Sequence, residues 1–299
     1  MGFTKIMQRK YNFISGLPRA GSTLLSAILK QNPRFTAGIS DPLHMYARSV
    51  IKDTGTAAGM ESAVSVDKRR ELIRGLFDSF YSDGSEVCFN TNRGWASDTA
   101  LLKNLFPDFK MIVVLREIPW ILDSFERLNA NNPYTIKPLY HHQDLGNVYD
   151  RTHMLMGNIP NFAGYVAGPI ANVRHSMACA ERHQILYVEY DTLVRNTKLV
   201  MQQIYQFLEE PYYEHDFENV EDSYDEFDAQ AKITGLHQVK KRVEFKQRET
   251  ILPDDLYRQY DQASFWKNDN SLKTRLKWAT PNFNAQSVRK ILPNLSKQL

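Results

Sequence analysis

The residues with the clearest chemical capacity lie in GLPRAGSTLL, Gly16 to Leu25, between an apolar run and a helical pattern. Gly16 and Gly21 have the spacing of a phosphate-gripping loop, G-x-x-x-x-G-K-[ST], but Ser22 stands at the lysine position before Thr23. The nearest cation is Arg19, inside the loop. In a triphosphate site the lysine neutralises the β- and γ-phosphates beside magnesium, so moving the charge points to a different anion. Backbone N–H groups from Ala20 to Leu24, with the positive end of the following helix, favour a terminal phosphate. Arg19 can fork onto a further oxyanion, and an arginine in such a turn is costly to bury without one.

A second candidate lies in FKMIVVLREIPWILDSFERL, where an unbroken apolar run delivers Arg116 and the next helix carries Ser124, eight residues on. With about 3.6 residues per turn, Ser124 falls roughly one turn into a helix that starts near Pro119, within reach of a phosphate shared with Arg116. Taken alone, Arg116 has ion-pair options in Glu117, Asp123 and Glu126, and Ser124 has its own helix backbone.

These groups need a scaffold that brings distant positions together. Strand patterns fall at Tyr11–Ser15, Phe35–Ile39, Glu86–Phe89, Met111–Leu115 and within Gln184–Leu193. Helical patterns fall at Ser22–Lys30, Val66–Phe80, Ala100–Leu105, after Pro119, and through Leu199, Val200, Ile204, Phe207 and Leu208. This β-then-α order predicts an α/β fold with a parallel sheet, whose ligands gather beyond the carboxyl ends of the strands. Gly16, Arg116 and Tyr190 are expected at that mouth.

The 299 residues, 42% apolar, suit a single domain spanning 1–299, with about 270–299 a basic C-terminal extension. The net charge of +3 comes from 37 basic and 34 acidic residues, which gives no general case for nucleic-acid binding. Cys88 and Cys179 form no metal or disulfide pattern, and His141, His142 and His153 form no ligand set, so no metal is assigned. The opening residues lack a signal-peptide core, and no apolar run reaches roughly 18 residues, the lower range for a membrane span. A cytoplasmic protein with a reduced thiol pair is the expectation.

Together, the loop and the Arg116/Ser124 pair resemble the family of sulfotransferases that use 3′-phosphoadenosine 5′-phosphosulfate (PAPS), closest to the tyrosylprotein sulfotransferase-like branch and its soluble relatives. The resemblance covers most of the chain and implies a three-layer parallel sheet flanked by helices, a P-loop NTPase-like sulfotransferase fold. It implies that Pro18, Arg19, Ala20, Gly21, Ser22 and Thr23 bind the phosphosulfate, and that Arg116 and Ser124 bind the 3′-phosphate. Tyr190 aligns with a cofactor-contacting tyrosine. Asn90 matches an asparagine of the branch's Asn-Lys motif, Thr91 replaces the lysine, and Arg93 lies two residues on. Either Arg93 supplies the missing charge or Arg19 acts alone, and the reading leans to Arg93. Gly235–Pro253 resembles the family's closing segment, with Lys246 and Arg248 as its phosphate-contact candidates.

Sulfuryl transfer builds negative charge on equatorial oxygens and on the leaving phosphate, where well-placed donors contribute about 2.7–4 kcal/mol each. The acceptor must also lose a proton to a base. In the resembling enzymes that base is a Glu or His soon after the first helix, which points to Asp41 or His44. Asp41 lies closer to the strand end, whereas a free histidine titrates near about 6.5 against about 3.9 for aspartate. The acceptor itself, whether small molecule, sugar or protein tyrosine, is not encoded legibly, and nor is the oligomeric state. The rival functions are a degenerate P-loop kinase and an inactive nucleotide-binding scaffold.

Overall fold

The apolar runs become the strands of one six-stranded, all-parallel sheet in the computed structural model, which describes residues 9–55, 64–134, 140, 145–158, 164–220, 228–229 and 235–281. Strand β1 is Lys10–Gly16, β2 Phe35–Ala37, β3 Val87–Thr91, β4 Met111–Leu115, β5 Ile185–Glu189 and β6 Lys277–Trp278. Every residue of β3 and β4 is buried, as continuous apolar strands are when helices cover both faces of a parallel sheet. The strand order is β2-β3-β1-β4-β5-β6.

That order puts the topological switch at β1. The chain leaves β1 for β2, returns to β3 beside β1, then crosses to β4 on its other side. Ile14 pairs with Thr91 on one flank and with Ile112 on the other, and Gly16 pairs with Val114. The ends of β1, β3 and β4 therefore open onto one crevice, the place where such sheets bind ligands.

The connecting helices are α1 Ser22–Leu29, α2 Leu43–Gly55, α3 Val66–Phe80, α4 Thr99–Leu105, α5 Ile118–Ala130, α6 Val148–Leu155, α7 Ala167–Ala178, α8 Tyr190–Arg195, α9 Thr197–Leu208, α10 Asp254–Asp261 and α11 Asn270–Arg275. Under the β1–β3 side of the sheet, Phe13 packs edge-on against Trp95 at 5.2 Å and against Phe77 at 6.1 Å between ring centres. The Trp95 indole N–H is satisfied by Asn90 Oδ1 at 2.7 Å.

Three boundaries differ from the sequence reading. Strand β2 stops at Ala37 rather than Ile39, because the Gly38 carbonyl accepts from Ser26 Oγ at 2.9 Å. The last apolar strand ends at Glu189, and Tyr190 opens α8 instead of extending the sheet. The third difference concerns the C-terminal extension. Its start is part of the domain: β6 pairs with β5 through Leu186–Lys277 and Tyr187–Trp278, and Trp278 packs on Tyr187 at 5.2 Å. Residues 282–299 lie outside the described residues.

Candidate active site

At the switch point lies a cavity of about 490 Å³, lined by the Gly16–Arg19 and Gly21–Leu24 stretches, Arg93, Arg116, Ser124, Tyr190 and residues 236–240 and 242–248. Its volume falls within the roughly 300–1,000 Å³ usual for small-molecule and cofactor sites. Two glycines shape its floor. Gly16, at φ +125°, lies so close to β4 that a Cβ would collide with the Val114 backbone. Gly21, at φ +97°, would place a Cβ 2.6 Å from the Tyr190 ring. Between them Arg19 holds a left-handed φ of +57°, an unusual conformation for a side-chain-bearing residue and one that clusters at ligand sites.

Two guanidinium groups meet here. Arg19 Nε donates to Ser124 Oγ at 3.0 Å, and its terminal nitrogen donates to the Leu236 carbonyl. Arg116 donates to the Arg19 carbonyl at 3.2 Å and lies over the Tyr190 ring at 4.4 Å. Among the described residues neither arginine makes an ion pair, and Arg116 Nε is buried with no hydrogen-bond partner. Burial, then the neighbouring Arg116 charge, lowers the Arg19 pKa to about 10; burial chiefly lowers that of Arg116. A buried donor left unmade costs about 1–3 kcal/mol, more when charged, so this corner is built to receive an anion.

The helix that carries Ser124 also anchors the far wall. Asp123, fully buried on α5, accepts from the Ile251 N–H at 2.9 Å and from Thr250 Oγ1 at 3.3 Å, and it pairs with Arg127 at 3.0 Å and Arg248 at 2.5 Å. Arg248 lies 5.6 Å from the Trp120 ring centre. Lys246 is at the exposed rim, paired with Glu244 at 2.7 Å.

A family model described as Sulfotransferase family matches residues 13–214, about two-thirds of the chain. The protein belongs to the sulfotransferase family. No curated protein matches it. Among solved structures, it is similar to a sulfotransferase domain from the curacin biosynthetic pathway at 15% identity and TM-score 0.47, covering 98% of this chain and 99% of the other. The sulfotransferase from Alicyclobacillus acidocaldarius is similar at 16% identity and TM-score 0.48, over 76% of this chain and 92% of that one. The sulfotransferase domain of the Synechococcus PCC 7002 olefin synthase shares 16% identity at TM-score 0.40, with both chains covered in full.

Pro18, Arg19, Gly21, Ser22, Thr23, Arg93, Arg116, Ser124, Tyr190, Lys246 and Arg248 of this sulfotransferase all line the one cavity. Ala20 is fully buried behind the loop. Arg93 occupies the turn after β3, donates to Tyr165 Oη at 2.9 Å and stacks on that ring at 4.5 Å. Thr91 lines the cavity, and its buried hydroxyl has no partner among the described residues. Asn90 faces away, bridging Trp95 and Tyr81 inside the core.

The two residues expected to serve as base are not in the cavity lining. Asp41 turns its carboxylate inward to accept the Thr91 N–H at 2.7 Å, and burial raises its pKa to about 6. His44 packs against Gly94 and the edge of Trp95 and pairs with Asp98 at 2.7 Å. Asp41 is held by the last residue of β3, and His44 by the segment that follows it. A different imidazole lines the cavity: His237, bonded through Nδ1 to Asp228 at 2.6 Å. Sequence reasoning passed over it because the two residues stand nine positions apart and no motif joins them.

Proposed function

We propose that this sulfotransferase moves a sulfuryl group from PAPS to a hydroxyl or amine acceptor and releases adenosine 3′,5′-bisphosphate. The observation that carries the reading is the Arg19–Ser124–Arg116 corner, with a buried unpartnered Arg116 Nε beside a left-handed glycine loop. Two cations that make no ion pair among the described residues suit a ligand with anions at both ends better than a triphosphate that brings its own magnesium.

In this reading the Ala20–Leu24 backbone amides and Arg19 hold the phosphosulfate end. Arg116 and Ser124 hold the 3′-phosphate, with Tyr190 bracing Arg116 from below. The ligand displaces the present contacts of Arg19 with Ser124 and Leu236, which ties loading of the donor to the position of the 236–248 wall. Lys246 and Arg248 flank the phosphates from that wall. Arg93, on the β3 side, approaches the transferred group in place of the missing lysine.

The donor supplies an activated sulfur whose leaving group is a phosphate monoester. The chain's part is electrostatic and positional: Arg19, Arg93 and the loop amides meet charge as it builds. No helix among the described residues is long and apolar enough to cross a membrane. Chromatographic detection of bisphosphate released from PAPS, with phenols, primary alcohols, sugars and amines as acceptors, tests the reading. Release dependent on one acceptor class supports it; phosphoryl transfer from ATP with none from PAPS refutes it.

A further inference from the structure

Arg93 is held at both ends. Its backbone carbonyl accepts from Ser15 Oγ on β1 at 3.1 Å and from Asn172 Nδ2 on α7 at 3.2 Å. Its guanidinium donates to Tyr165 Oη at 2.9 Å and lies 4.5 Å from the centre of that ring. Among the described residues Arg93 makes no ion pair, so a phenol stands where a buried cation usually has a carboxylate.

Tyr165 is fixed in turn. It stands just before α7, and the next residue, Val166, donates its amide to the Leu155 carbonyl at 2.8 Å, at the end of α6. A side chain at Gly164 would collide with the backbone of Leu155 and Gly157, so the chain enters this position in one way. Phe125 of α5 meets the Tyr165 ring at 84°, with 5.7 Å between ring centres.

A phenol oxygen can accept and donate at once. Here it accepts from Arg93, and among the described residues its own O–H donates to nothing. Tyr165 and Arg93 both line the cavity, and Tyr165 is close enough to Arg19 of the glycine loop to bear on that guanidinium's charge. A hydroxyl that accepts from a cation becomes the stronger donor, because hydrogen bonds in a chain polarise one another.

We propose that Tyr165 is a catalytic residue that donates its O–H to a sulfuryl oxygen during transfer, and that Arg93 is its positioning residue; the assignment rests on the sulfuryl-transfer reading above. As the acceptor oxygen bonds to sulfur, the bond between sulfur and the 5′-phosphate oxygen breaks. Its electron pair stays on the phosphate, and the acceptor's proton passes to water. Tyr165 keeps its own proton throughout. Its hydrogen bond strengthens as charge builds on the sulfuryl oxygens, so it lowers the barrier more than it tightens binding of the donor.

The test uses the full chain and its Tyr165→Phe, Arg93→Ala and doubly substituted variants. Phenylalanine keeps the ring beside the guanidinium and the contact with Phe125, and removes only the hydroxyl. Affinity for adenosine 3′,5′-bisphosphate, which carries no sulfuryl group, is measured first and is expected to stay within threefold of wild type in all three. Bisphosphate release from PAPS with the acceptor panel then gives kcat and KM. Tyr165→Phe is expected to lower kcat about 100-fold at nearly constant KM for PAPS, as one lost oxyanion donor does. Arg93→Ala should lower kcat by a smaller factor, and the double variant should stay within threefold of Tyr165→Phe, since Arg93 acts through the hydroxyl. A fall of less than tenfold in Tyr165→Phe overturns the assignment. So does a double variant slower than that, which would mean that Arg93 acts on the transferred group directly. Bisphosphate affinity lost in Tyr165→Phe gives the residue to the architecture of the cavity and overturns the assignment as well. Failure of the wild type itself to bind bisphosphate overturns the sulfuryl-transfer reading instead.

Discussion

Arg116 at the end of β4 donates to the backbone carbonyl of Arg19, 3.2 Å away and 97 positions earlier in the chain. One cation thus braces the left-handed turn that presents the other. The two charges that would grip the opposite ends of a donor nucleotide are linked by this hydrogen bond across the switch point. Positioning and binding cannot be separated at this corner.

Removing the Arg19 side chain should therefore leave the loop intact if the replacement tolerates a positive φ. Arg19→Gly satisfies that condition. Thermal stability is expected to hold or rise, since a partly buried, unpaired cation disappears. Bisphosphate release from PAPS should fall by about 100-fold, the loss expected of one oxyanion-stabilising donor. Steady-state kinetics beside a thermal melt checks both.

Gly21→Ala should damage donor binding without touching a charged group. The added methyl meets the Tyr190 ring, which lies under Arg116, and the φ of +97° is strained for alanine. A cost of about 1–3 kcal/mol is expected. Bisphosphate affinity measured by fluorescence or calorimetry should drop accordingly, whereas Gly75→Ala, a helical position with open space, should be neutral or mildly stabilising.

Asp123 holds the 248–251 segment to α5 with three contacts on one fully buried carboxylate. Asp123→Ala leaves Arg248 and the Ile251 amide without their partner, a loss of about 3–5 kcal/mol by analogy with broken buried pairs. The melting temperature should fall, and limited proteolysis should cut first near that segment.

Asp41 gives a stability signature with a definite sign. Its folded pKa is raised to about 6 from a model-compound value of 3.8, so the folded state binds the proton more tightly than the unfolded one. The charge penalty is absent below about pH 4, grows between about 4 and 6, and is complete above 6. Relative to wild type, Asp41→Asn should gain stability across that window and plateau above it. Denaturant unfolding at pH 4, 5, 6 and 7 measures the difference.

That the Gly16–Thr23 loop, Arg116 and Ser124 would meet at one mouth of the sheet was legible because each depends on one strand, one turn and one helix, whose spacing the chain displays directly. What stayed hidden depends on contacts between distant segments. Asp123 and Ile251 are 128 positions apart, and nothing around either suggests the other. The placement of Asp41 was hidden in the same way: its partner is the Thr91 amide at the end of β3, a distant segment. Strand β6 is two residues long and was masked by its basic surroundings.

The central claim is that the Arg19–Ser124–Arg116 corner binds the two phosphates of a PAPS-derived nucleotide. Titration calorimetry of adenosine 3′,5′-bisphosphate into wild type and Arg116→Ala, without magnesium, tests it most directly. Wild type should bind, and the variant should bind about 10- to 150-fold more weakly, the equivalent of about 1.5–3 kcal/mol for charged hydrogen bonds to phosphate. Equal affinity in the two proteins, or tight binding of magnesium–ATP with none of the bisphosphate, would contradict it.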